Sequence, residues 1–109
     1  MASADDFRRI ALSFPGVEEK AHMGHPDFRV GGRIFATLGS PNADHGMVAL
    51  LSEQQELAVE AEPEAFKPAA GSWGLGGSTL VKLALVSDEW LERSIEWAWR
   101  KRAPGKLKG

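Results

Sequence analysis

Apolar residues near the start of the chain recur at the spacing of an α-helix. They fall on one side of a helical wheel and are Phe7, Ile10, Ala11 and Phe14. Ser3 stands three residues before Asp6, an acidic variant of the capping box that opens many helices. Pro15 and Gly16 end the segment, because proline cannot continue the hydrogen-bond ladder and glycine tolerates a left-handed cap. The pattern predicts a helix over residues 5–14.

The period then changes from helical spacing to two. Residues 17–23 alternate in the repeat of a half-buried strand, and a second strand is predicted over residues 27–30. Gly31 and Gly32 follow as a two-residue turn that can take the positive φ angles of a tight hairpin. The second strand should therefore pair antiparallel with residues 34–38.

The middle of the chain carries signals for a turn, a strand and a surface helix. Residues 40–46 are rich in turn formers, and residues 47–51 are a nearly continuous apolar run that predicts a more central strand. Ser52 and Gln55 have the capping-box spacing and open a predicted helix over residues 52–62, whose apolar stripe is thin.

A glycine-rich segment precedes the last strand and the last helix. Residues 71–78 include four glycines, which predicts a mobile or tightly turned loop. Residues 79–86 are the last predicted strand, and Ser87 or Asp88 caps a helix that reaches Arg102. One broad apolar arc of this helix must be covered: Trp90, Leu91, Ile95, Trp97, Ala98 and Trp99.

The order of these elements indicates an α+β fold. Short connections between successive strands favour an antiparallel sheet, here of about five strands with the helices packed on one face. A chain of 109 residues has room for one core, so residues 1–109 are predicted to be a single domain. Residues 103–109 form its basic end, which we expect to be a flexible tail.

Composition removes several classes of function. There is no cysteine, which excludes disulfides, thiolate catalysis and cysteine-ligated metals. No apolar stretch is long enough to span a bilayer and no signal-peptide pattern is present, so we expect a cytoplasmic protein without a membrane partner. The net charge of −2 argues against strong non-specific attraction of the whole molecule to nucleic acid.

The chain shows no legible catalytic, metal or cofactor site. His22 and His25 are three residues apart, and on one strand that separation points the two side chains to opposite faces. The glycine-rich segment around Trp73 lacks the helix and lysine of a phosphate-binding loop. No serine or acid stands beside a base, so we expect a non-enzymatic protein that needs no cofactor.

Cations at alternating strand positions are the best candidates for a binding surface. Four of them could share the solvent face of the sheet and contact phosphates: Lys20, Arg29, Arg33 and Lys82. Trp73 could stack on a base or a partner. The basic end of the last helix could extend the surface through Arg100, Lys101 and Arg102.

Three short motifs in order resemble the MmcQ/YjbR family. They are residues 14–19 (FPGVEE), residues 25–36 (HPDFRVGGRIFA) and residues 98–104 (AWRKRAP), and the resemblance covers nearly the whole chain. It implies a CyaY-like fold and a role in DNA binding with a double-wing arrangement.

We therefore expect a binding module that meets DNA weakly and in a salt-sensitive way, as a monomer or a weak homodimer. The alternative is a module that binds a protein or a small molecule through the same face and has no role with nucleic acid.

Overall fold

The computed structural model describes residues 2–39 and 42–108, which form a six-stranded antiparallel sheet with helices on one face. In chain order the elements are α1 (Ala4–Leu12), β1 (Val17–His22), β2 (His25–Val30), β3 (Arg33–Leu38), β4 (His45–Ala49), α2 (Ser52–Ala61), β5 (Phe66–Pro68), α3 (Gly71–Leu75), β6 (Ser78–Lys82), α4 (Asp88–Arg102) and α5 (Gly105–Lys108). The strands are ordered β1-β2-β3-β4-β6-β5 across the sheet. The predicted α+β class with helices layered on one side is confirmed.

The local signals at the two long helices act as predicted. The Ser3 hydroxyl accepts a hydrogen bond from the Asp6 backbone N–H while the Asp6 carboxylate accepts one from the Ser3 N–H, so the acidic capping box is formed. The Ser87 hydroxyl accepts from the Trp90 N–H and caps α4. Gly31 and Gly32, both with positive φ, form the turn between β2 and β3.

The start of α2 differs from the prediction by one position. Leu51 is its N-cap, and its backbone N–H donates to the side chain of Gln54. Gln55, predicted to close the capping box with Ser52, instead donates to the Gly74 carbonyl and the Thr79 hydroxyl. The amide of Gln55 therefore ties α2 to β6 and to the segment before it.

Three features of the second half differ from the pattern in the sequence. Strand β5 was not predicted, because three residues are too few to show a period. The glycine-rich segment, predicted to be a mobile or tightly turned loop, forms the short helix α3 followed by a tight turn. The last strand ends at Lys82, four residues earlier than predicted. The predicted turn at residues 40–46 is described only from residue 42 onward.

Helices α1 and α4 cover the sheet, and their apolar sides meet the inward side chains of the strands. Phe7 and Phe28 are fully buried and their rings are 6.0 Å apart. Trp99 is buried, and its indole N–H donates to the Pro15 carbonyl across 3.0 Å. None of the helices among the described residues is long and apolar enough to cross a membrane.

The basic end of the chain continues the fold. Ala103 is buried and Leu107 packs against the core, so this end of the chain contacts the rest of the fold. A Cβ atom on Gly16 would lie 2.8 Å from a methyl group of Leu107, which shows how closely α5 approaches the turn between α1 and β1. Gly109 of the predicted tail lies outside the described residues.

Candidate nucleic-acid interface

One side of the sheet carries no helix, and strand register determines which side chains reach it. Residues directly opposite in antiparallel strands share a face. Lys20 is opposite Asp27, and Lys82 is opposite His45. We call this side the open face; its residues include Glu18, Lys20, His22, His25, Asp27, Arg29, Ile34, Thr37, His45, Met47, Ala49, Lys67, Ser78, Leu80 and Lys82.

Three of the four predicted cations share the open face, and one does not. Lys20, Arg29 and Lys82 project from it. Arg33 is opposite the buried Val30 and therefore lies on the helix side, so its predicted place is wrong. The reason is that a two-residue turn pairs residue 30 with residue 33 and residue 29 with residue 34.

Sequence reasoning missed a fourth cation of the open face. Lys67 lies on β5 opposite Leu80, and its side chain is exposed. It was missed because the strand that orients it is only three residues long. The flanking Pro68 gives no periodic signal, so only the pairing of β5 with β6 reveals the face on which Lys67 lies.

Four arginines of the helix layer form ion pairs with carboxylates, and three lysines of the open face do not. On the helix layer, arginines form ion pairs with carboxylates: Arg8 with Asp5 and Glu19, Arg9 with Asp6, Arg93 with Glu89, and Arg100 with Glu96. Within residues 2–39 and 42–108, every ion pair uses arginine or histidine as the cation. Lys20, Lys67 and Lys82 of the open face have no carboxylate within ion-pair distance in that part of the chain.

Arg29 is the exception on the open face, because it is bound to a buried acid. Its Nε and Nη2 atoms donate to the two oxygens of Asp27 across 2.7 and 3.1 Å. Asp27 is fully buried, and its second oxygen also lies 2.7 Å from Nδ1 of His22. The hydrogen bonds from Arg29 outweigh burial and lower the pKa of Asp27, with His22 adding to the effect. Arg29 therefore stabilises the folded sheet and is not an unpaired cation on the open face.

The histidine pair is arranged differently from the prediction. His22 and His25 flank the turn at Met23 and Gly24 and are directly opposite each other, so they share the open face. The predicted placement of the two histidines on opposite faces was wrong, because the strand ends between them. No group of three or more His, Asp or Glu side chains in the described residues is arranged to hold a metal ion.

A shallow groove of about 360 Å³ follows the open face beside β5. Lys67 and Lys82 line it with His45, and Leu80 also borders it. His45 is oriented by its Nδ1 atom, which lies 2.7 Å from the side-chain oxygen of Asn42 and 2.9 Å from a carboxylate oxygen of Asp44. The groove therefore presents two amines and an imidazole, and the carboxylate of Glu64 also lines it.

Two of the remaining predicted residues, Lys101 and Trp73, lie at the other end of β4. Lys101 donates to the carbonyls of Leu50 and Gly76, and burial lowers its pKa, with smaller contributions from Arg102 and Arg33. Trp73 is 71% exposed on α3 in the same region. Lys82 lies at the opposite end of β4, because it pairs with His45, the first residue of that strand. Arg100 is held by Glu96 on the helix layer.

Comparisons with known proteins agree on the family and the fold. A family model described as YjbR matches residues 12–101. The crystal structure of Deinococcus radiodurans protein DR2400, described by the domain DUF419, is similar with a TM-score of 0.79. The two sequences are 18% identical, and the alignment covers 99% of this chain and 86% of that chain. No curated protein matches the chain.

Proposed function

The chain belongs to the YjbR family, as its motifs predicted, and from its open face we propose that it binds nucleic acid through phosphate contacts. Lys20, Lys67 and Lys82 are the residues that would make these contacts. A lysine ammonium group is a compact charge that binds phosphate without reading the base sequence. The role we propose is therefore sequence-independent binding.

The observation that carries the proposal is the set of three unpaired lysines on the open face. Four helix-layer arginines are neutralised by carboxylate neighbours, whereas the three open-face lysines have no such partner in the described residues. Arg33, Lys101 and Arg102 on the helix side are also outside these ion pairs. An unpaired ammonium group on an otherwise acidic protein is available to an external anion. Binding by this face also explains how a chain with a net charge of −2 could approach a polyanion.

The spacing of the lysines suits an extended anion better than a single small one. Lys20 lies on β1 and Lys67 on β5, at the two edges of the sheet. Five strand spacings separate those edges, about 24 Å in total. A run of several consecutive phosphates on a nucleic-acid backbone could span this distance, and a small-molecule phosphate could not.

Stacking of bases contributes little to this proposed mode. In the part of the chain that the structure describes, the exposed large aromatic residue is Trp73, which lies on α3 and not on the open face. Base readout by aromatic stacking therefore has no platform among the strands. We expect low affinity, steep salt dependence and little preference among sequences.

The proposal is tested by removing the three charges together. We expect the variant Lys20→Gln, Lys67→Gln, Lys82→Gln to bind a fluorescein-labelled DNA duplex about tenfold more weakly, or worse, than the wild type in fluorescence anisotropy at low salt. The matched control removes three helix-layer charges, Arg8→Gln, Arg9→Gln and Arg93→Gln, and should change the affinity by no more than about twofold. Circular dichroism checks that both variants are folded.

Two outcomes would contradict nucleic-acid binding by this face. One is a wild-type dissociation constant no tighter than ~10⁻⁴ M, the weak end of non-specific binding. The other is an equal loss of affinity in the lysine variant and in the arginine control, which would reflect net charge alone.

An apolar strip on the same face favours a second candidate function, docking of a protein. Met47 and Leu80 are directly opposite each other on β4 and β6, and both are half-buried. Ile34 on β3 is 36% exposed. A partner that covers this strip would bind with little dependence on salt. Met47→Ser would weaken such a complex and leave phosphate binding unchanged.

A further inference from the structure

Strand β1 is an edge of the sheet, and its outer side is uncovered. It pairs with β2 alone, and its residues from Glu18 to His22 are all exposed. An exposed edge presents a row of unpaired backbone groups that can accept another strand. We propose that β1 pairs antiparallel with β1 of a second copy of this chain, so that two sheets become one. This proposal is independent of nucleic-acid binding.

The hairpin turn determines which backbone groups point outward. Met23 and Gly24, with φ of 50° and 82°, form a two-residue turn whose flanking residues, His22 and His25, are partners. The two residues that flank a two-residue hairpin turn exchange backbone hydrogen bonds. Along the β1–β2 ladder, such hydrogen-bonded pairs then recur at every second residue. The even-numbered residues of β1 therefore bond to β2. The N–H and C=O groups of Val17, Glu19 and Ala21 point away from the sheet.

These groups have no backbone partner within residues 2–39 and 42–108. In a two-fold symmetric dimer, the outward groups of one copy must bond to the outward groups of the other. Since these groups belong to odd-numbered residues, odd-numbered residues must face odd-numbered ones and even-numbered residues must face even-numbered ones. The axis must then pass through a residue and not between two residues. Only a few registers satisfy this condition along a six-residue strand.

Charge favours the register centred on Glu19 over those centred on Glu18 or Lys20. When Glu19 lies on the axis, Glu18 of each copy is directly opposite Lys20 of the other, and Val17 is opposite Ala21. Opposite charges on directly facing residues stabilise a strand pair, and these two residues form the closer, non-hydrogen-bonded kind of pair. With Glu18 or Lys20 on the axis instead, each would face its own like charge, which is unfavourable.

Glu19, the central residue of this register, already forms an ion pair with Arg8 in its own copy. The two Glu19 side chains would approach each other on the helix side of the joined sheet. Each carboxylate accepts from Nε of Arg8 in its own copy, at 3.0 and 3.2 Å for the two oxygens. The two carboxylates would therefore meet as two ion pairs and not as two bare charges.

Such a dimer keeps both open faces on the same side. The two-fold axis lies perpendicular to the sheet, so the helix layers are also on one side. A joined sheet of twelve strands follows from two sheets of six. Its open face would be roughly 50 Å across and would carry Lys67 and Lys82 of both copies, with each Lys20 facing Glu18 of the other copy.

Charge exchange within β1 tests the proposal in the absence of nucleic acid. Sedimentation equilibrium of the wild type should show reversible dimers. We expect Glu18→Lys alone and Lys20→Glu alone to weaken association about tenfold, because each replaces two opposite-charge pairs by two like-charge pairs. The double variant Glu18→Lys, Lys20→Glu restores opposite charges and should recover the wild-type association.

A proline variant tests the backbone contribution separately. Ala21→Pro removes an outward N–H that makes no bond to β2, and proline is tolerated in edge strands at such positions. This variant should stay folded by circular dichroism and lose the dimer. A wild type that remains monomeric up to about 1 mM would overturn the proposal. So would a dimer whose association neither the charge exchanges nor Ala21→Pro changes.

Discussion

Replacing Arg29 by alanine is expected to lower the free energy of unfolding, because it leaves the Asp27 carboxylate without its main counter-charge. Asp27 has no solvent exposure, and Arg29 supplies two of the hydrogen bonds to it. His22 contacts only one oxygen and cannot replace a bidentate guanidinium. Urea denaturation followed by tryptophan fluorescence measures the change.

Two further variants separate the charge pair from simple loss of packing. Arg29→Lys should rescue little of the stability, because an ammonium group cannot donate to both carboxylate oxygens in one plane. Asp27→Asn combined with Arg29→Ala should be less destabilising than Arg29→Ala alone, since no uncompensated charge remains buried. A double variant as unstable as the single one would contradict this explanation.

The same network predicts how stability depends on pH. The folded pKa of Asp27 lies below its ordinary value of 3.8, chiefly because Arg29 donates hydrogen bonds to it. The unfolded chain then binds more protons than the folded one near that value. The contribution of Asp27 is complete above its unfolded pKa and is lost as the pH falls through its folded pKa. Asp27→Asn should therefore flatten the acid limb of the stability curve.

Replacing Gly77 by alanine is expected to destabilise the fold by about 2–4 kcal/mol. Gly77 has φ of 103°, which a residue with a side chain rarely adopts. An added Cβ atom would lie 1.9 Å from the Leu50 carbonyl oxygen, a backbone atom that cannot turn aside. The Gly77 carbonyl accepts from the Leu50 N–H, so the clash would separate the start of β6 from the end of β4.

Gly24 provides the matched control for this prediction. Its φ is 82°, yet nothing lies within 4 Å of an added Cβ atom. Gly24→Ala should therefore show the conformational penalty alone, about 1 kcal/mol, and the difference between the two variants isolates the contact with Leu50. Thermal unfolding by circular dichroism measures both. Equal losses in the two variants would mean that the close contact relaxes freely.

Elements with a local chemical signal could be predicted from the sequence. Ser3 and Asp6 specify the start of α1, and Ser87 specifies the start of α4. Gly31 and Gly32 specify the β2–β3 turn because they supply both positive φ angles. In each case the residue that makes the contact lies within three positions of its partner, so the sequence alone contains the information.

Features that depend on tertiary contacts could not be predicted in this way. Strand β5 exists because β6 is available to pair with it, and its three residues show no period of their own. The turn between β1 and β2 uses Met23 with φ of 50°, a conformation for which methionine gives no signal. The pairing of His22 with His25 follows from that turn.

The candidate site was predictable in part, for the same physical reason. Lys20 and Lys82 lie at strand positions whose alternation is visible, and both reach the open face. Arg33 was misplaced because the turn between the strands changes the parity. That Arg29 is bound to Asp27 could not be foreseen, because an acid on the solvent side of a strand is normally exposed.

The salt dependence of DNA binding tests the central claim most directly. If the three open-face lysines neutralise phosphates, log K should fall with log salt concentration with a slope of about −3 for the wild type, close to one counterion for each lysine. The slope should approach zero in the Lys20→Gln, Lys67→Gln, Lys82→Gln variant. A slope that the variant leaves unchanged would show that the open face does not contact phosphates.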